Sequence, residues 1–101
     1  MFELSPPPAL TEVTGGDSKM LVRGYGGISG AGWRVDVYRQ NSGPEGALGA
    51  GPVNPDGSFL FEANYPSLRQ YKGQSLTVQA QFVDGAGKTS YWSNPMQVYI
   101  H

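Results

Sequence analysis

Hydrophobic and polar residues alternate with a period of two along most of this chain. Residues 19–25 set Met20 and Val22 on one face and Leu21 and Arg23 on the other. In residues 33–39, Trp33, Val35 and Val37 oppose Arg34, Asp36 and Tyr38. Residues 76–83 set Leu76, Val78, Ala80 and Phe82 against Thr77, Gln79, Gln81 and Val83. The last segment, 96–100, sets Met96, Val98 and Ile100 against Gln97 and Tyr99, with His101 continuing the outer side. This period belongs to strands with one buried face, because successive Cβ atoms of a pleated backbone point to opposite sides. Three further segments read as strands with less regularity. Residues 9–14 are short, 47–53 are weak, glycine-rich and expected at an edge, and 58–63 place Phe59 and Phe61 on one face.

The breaks between these segments carry turn chemistry. Gly15-Gly16-Asp17, residues 26–32, residues 41–46 and Asp84-Gly85-Ala86-Gly87 are rich in glycine and short polar side chains. Asn54-Pro55-Asp56-Gly57 is the strongest, since proline presets φ and glycine accepts positive φ. Residues 64–75 form a longer crossing loop with Leu68 as its plug into the core, and no segment has a helical period. Seven short strands punctuated by turns in a chain of 101 residues predict an all-β fold. The specific expectation is a seven-stranded antiparallel two-sheet sandwich, immunoglobulin-like or of fibronectin III type, with the third, sixth and seventh strands in one sheet.

Length allows one domain with a single core. Ser5-Pro6-Pro7-Pro8 lacks the N–H groups a ladder needs, so residues 1–8 read as a stiff Pro-rich linker and 9–101 as the domain. The chain then has the look of a module from a longer protein. Cysteine is absent, which removes disulfides, thiolate metal sites and thiol nucleophiles. The net charge is −1, with 15% charged residues, so there is no basic patch to neutralise phosphates and nucleic acid is not an expected partner. No apolar run is long enough to insert in a membrane, and the N-terminal residues lack the pattern of a signal peptide.

Over residues 9–100 the chain resembles bacterial immunoglobulin-like domains, the kind strung in tandem along surface and secreted proteins. The resemblance rests on Val22-Arg23-Gly24, on Gly30-Ala31-Gly32 ahead of Val35-Asp36-Val37-Tyr38, and on Asp56-Gly57-Ser58-Phe59. It continues through Leu76-Thr77-Val78-Gln79-Ala80 and Asp84-Gly85-Ala86-Gly87-Lys88-Thr89-Ser90. Trp33 stands where the family usually has a small or β-branched residue, and Lys88 where the turn more often carries asparagine. The resemblance implies a modular role, neighbouring domains of the same chain as partners, and a bacterial extracellular or cell-surface location. It implies no activity and no shared ligand.

Catalysis is not expected, and neither is a cofactor. The only histidine, His101, is terminal, so a general base with a fixed partner is missing. The eight carboxylates fall mostly in turns or on outer faces. Calcium between the turn residues Asp56 and Asp84 would need six or more oxygens; each aspartate capping its own turn is the simpler reading, and no metal site is assigned. A protein or glycan ligand has two candidate locations. One is the outer sheet face carrying Tyr38, Gln79, Gln81, Gln97 and Tyr99, where rings and amides meet few charges. The other is a loop site with Tyr25 and Trp92. The functional expectation is a non-catalytic spacer or protein-interaction module, with a carbohydrate-binding module as the alternative.

Overall fold

The computed structural model describes residues 7–26, 32–43 and 46–101. Most of the linker stretch (1–6), much of the 26–32 loop and part of the 41–46 break lie outside the described residues. Among the described residues there are seven strands: β1 Ala9–Gly16, β2 Lys19–Tyr25, β3 Arg34–Arg39, β4 Ala47–Pro52, β5 Phe59–Ala63, β6 Ser75–Val83 and β7 Met96–Tyr99. They form two antiparallel sheets, β1-β2-β5 and β4-β3-β6-β7, so β3, β6 and β7 share a sheet. The chain is an all-β two-sheet sandwich. In the seven-stranded constant-type immunoglobulin arrangement the fourth strand lies with the fifth; here β4 pairs with β3 and has joined the larger sheet.

The alternation read from the sequence sets the register. Val22, Phe59 and Phe61 from the small sheet meet Val35, Val37, Val78, Ala80 and Phe82 from the large one, and all are buried. Phe59 stands edge-on to Phe82 with centroids 6.0 Å apart, and Trp33 lies 5.4 Å from Phe82 at the rim of the core. Leu68 is fully buried, held by a 3-10 turn over Pro66–Tyr71. The period did not announce this turn. Six residues cannot display a helical repeat, although Pro66 at its start suits a position whose N–H has no partner. Val83 is a second departure. It has the outward parity expected but is buried, outside the core cluster, where it bridges to Thr89.

β4 owes its weak sequence signal to a packing demand. A Cβ on Gly49 would lie 2.5 Å from the Ala63 Cβ, and one on Gly51 would overlap the Phe61 ring. Only glycine lets β4 settle this closely on β5 across the sandwich. The outer edge of β4 is covered rather than bare: Tyr65 N donates to Leu48 O, Ser67 Oγ donates to Ala47 O, and Pro52 has no N–H. Such cover removes a template for pairing with other chains.

Candidate functional site

The segment between β6 and β7 shapes the outer face of the larger sheet. Ser90 N donates to Phe82 O and Ser93 N to Ala80 O, so the chain runs beside β6 before β7 begins. From Ser90 to Ser93 is three steps against two on β6, and from Ser93 to the Met96–Val78 pair is again three against two. Two extra residues are therefore accommodated as bulges. In both places a serine hydroxyl stands in for the displaced carbonyl. Ser93 Oγ accepts from Ala80 N and Ser90 Oγ from Phe82 N, each at 2.9 Å. The same hydroxyls donate onward to Asn94 O and Tyr91 O, so both buried serines are satisfied.

The bulge turns Trp92 onto the sheet. Its ring meets Tyr38 edge to face, with centroids 5.5 Å apart and planes at 76°. Tyr38, Gln81, Trp92, Ser42 and Gly43 line a shallow hollow of about 230 Å³. Ser42 is fixed at its rim by a 2.6 Å bond from its hydroxyl to Arg39 O. Around it the face is amide-rich and carries balanced charge. Gln79 lies opposite Tyr38, Gln81 opposite Asp36 and Gln97 opposite Thr77. Asp36 is held by a fork from Arg34, at 2.8 Å from Nε and 3.3 Å from Nη2, and that bond raises the Arg34 pKa further above its ordinary value.

The five sheet residues picked from the sequence thus share one outer face, in two groups. Tyr38, Gln79 and Gln81 cluster with Trp92. Tyr99 lies opposite Ser75, four residues back along β6, and its ring meets His101 at 5.0 Å. Tyr25 and Trp92, expected together at the loop end, line different hollows. Tyr25 is exposed on β2 beside Arg23 and Leu60, bordering a hollow of about 400 Å³ on the smaller sheet. Trp92 belongs to the larger sheet because the bulges carry it there.

The two turn aspartates bond within their own turns. Asp56 Oδ1 accepts from Ser58 N at 2.9 Å and from Ser58 Oγ at 2.6 Å, which lowers its pKa below the usual carboxylate value. Asp84 Oδ1 accepts from Ala86 N and Lys88 N, both at 2.9 Å. Among the described residues, no three histidine, cysteine or acidic side chains are grouped to hold a metal ion. No helix among them is long and apolar enough to cross a membrane. No family model matches the chain, and no curated protein sequence matches it.

The residues missed in the sequence were Ser90, Ser93 and Asn94. Asn94 reaches across to β1, where its Oδ1 accepts from Leu10 N at 2.9 Å and its Nδ2 donates to Leu10 O at 3.1 Å. An amide side chain here makes the paired bonds that a neighbouring strand would make.

Proposed function

We propose that this chain is a non-catalytic, immunoglobulin-like spacer module of a larger, exported bacterial protein. The observation that carries the reading is how the chain passes through the fold. Ala9 pairs with Tyr25 at one end of the sandwich, while Gly16 and His101 meet at the other. The chain comes in at one end of a body whose longest extent is 37 Å and leaves at the opposite end. β1 and β7 run in the same direction and are laced together. Asn94 clasps Leu10, His101 N donates to Gly16 O at 2.9 Å, and Ser18 N donates to His101 O at 3.1 Å. Tension on the two ends would slide β1 against β7, and bonds lying across the direction of sliding are loaded together rather than in turn.

The proline stretch supports the same reading, as a stiff lead into the domain. Pro7 and Pro8 already run beside Gly26, and Pro8 is buried. The resemblance to tandem bacterial modules and the lack of an internal histidine agree with a non-catalytic role.

Single-molecule pulling through the two ends tests the proposal. Unfolding is expected in one step, at a force that falls in Asn94→Ala and is unchanged in Tyr99→Ala. An Asn94→Ala chain that unfolds at the wild-type force would remove the β1–β7 lacing as the load path, and with it the spacer reading.

A further inference from the structure

We infer that the corner formed by Tyr38, Gln81 and Trp92 is a binding site for one ring of a neutral, polyhydroxylated chain, a glycan. Two aromatic planes at 76° make a fixed angle between walls rather than a single flat platform. Trp92 is 42% exposed although it is held by Tyr38, so apolar ring surface stays open to solvent at this point. Aromatic rings with this balance of apolar face and polar edge suit ligands that are apolar on one side and wet on the other. A sugar ring has that character, with C–H groups on its face and hydroxyls around its rim.

The polar lining suits hydroxyls. Gln81 offers both an amide donor and an amide acceptor, and Ser42 keeps acceptor capacity after donating to Arg39 O. None of the described residues lining the hollow is charged, and the Arg34–Asp36 ion pair beside it is closed on itself. An ionic ligand would find no counter-charge among these side chains, and a neutral one loses nothing by that.

Size sets how much of the ligand is held. At about 230 Å³ the hollow is below the roughly 300 Å³ at which sites begin to enclose a whole small molecule. It takes one ring of a chain whose remainder runs over the glutamine row. A protein partner is less well served. A stable protein interface covers about 800 Å² per side around a desolvated apolar centre, and this face has amides where that centre would lie. Tyr99 is four residues along β6 and two strands across from Tyr38, roughly 17 Å at ~3.4 Å per residue and ~4.8 Å per strand. It is beyond the reach of a ring held in the corner.

Amide-shift titration of the full chain decides the matter, because it reads the site directly and does not depend on the spacer proposal. The probes are cellohexaose, xylohexaose, mannohexaose, maltohexaose and chitohexaose, with a ten-residue proline-rich peptide as the competing class. Shifts are expected at Ser42, Gln81 and the Trp92 indole with at least one sugar. Trp92→Ala should weaken that binding about tenfold or more and Gln81→Ala about three- to tenfold, with Tyr99→Ala unchanged. Trp92 lies outside the core cluster, and Trp92→Phe, which keeps a ring, guards against a misfolded alanine variant. Silence at the corner with all five sugars overturns the inference. So does a response to the peptide alone, or sugar binding that survives in Trp92→Ala and Trp92→Phe at wild-type strength.

Discussion

Ser90 and Ser93 show how a single hydroxyl can hold a bulged segment against a sheet. Each accepts from a buried amide whose usual partner, the carbonyl opposite, has been turned away. Removing the oxygen leaves a buried N–H unpaired, which costs about 1–3 kcal/mol. Ser93→Ala is therefore expected to lower stability by that amount in urea titration, and to sharpen hydrogen exchange at the Ala80 amide. Asp56 acts at the same scale through charge. Its bonds from Ser58 favour the ionised form, so the folded carboxyl titrates below its unfolded value of ~3.9. The stabilising effect is complete above that value and fades as pH falls through the lower folded value. Asp56→Asn should lower stability slightly near neutrality, where the carboxylate's contribution is complete, and flatten the loss of stability with falling pH below about 4. Because the group is fully exposed, added salt should shrink the difference.

At the scale of elements, β4 is where local signal and tertiary demand conflict. Its glycines weaken the strand, but a side chain at Gly51 would be driven into the Phe61 ring. Gly51→Val is expected to cost about 1–3 kcal/mol by overpacking, although valine is the better strand former. Ala50→Val, one residue away on the outer side, should stay within about 0.5 kcal/mol. The same logic separates neighbours on β6. Val78→Asp buries an unpaired charge and should unfold the domain, whereas Gln79→Ala should leave its melting temperature nearly unchanged. These contrasts test the register, since a slip of one residue would exchange the outcomes. The strands were legible because one buried face imposes period two on Val35, Val37, Val78, Ala80 and Phe82. It also put Tyr38, Gln79, Gln81, Gln97 and Tyr99 on one outer face. The stretch from Thr89 to Asn94 was not legible, because two inserted residues destroy the count. Trp92 consequently read as part of a loop site with Tyr25, when the bulges place it on Tyr38. The 3-10 turn carrying Leu68 was hidden for a simpler reason, being too short to repeat.

For the whole molecule, the exposed ion pairs do little to hold the two sheets together. Lys19–Glu62, Arg23–Glu12 and Lys72–Asp17 are each about half or more exposed, and pairs of that kind contribute ~0–1 kcal/mol. Cohesion comes from the shared apolar core, which has no preferred direction, and from hydrogen bonds, which do. Resistance to force should therefore depend on the axis of pulling. Along the line of the chain ends, the bonds joining β1 to Asn94 and to His101 share the load. Across the sandwich, a pull between Leu60 on the small sheet and Gly85 beyond β6 parts the sheets from one end, so contacts yield in sequence. The absence of cysteine allows both axes to be set by introduced pairs, at residues 7 and 101 or at 60 and 85, without competing thiols. Leu60 is exposed and a Cβ at Gly85 meets open space, so neither handle disturbs the core. The end-to-end axis should need the larger force, and Asn94→Ala should narrow the gap by lowering that axis alone. Equal forces on the two axes would mean that extension is resisted by the core, with β1 and β7 as passengers.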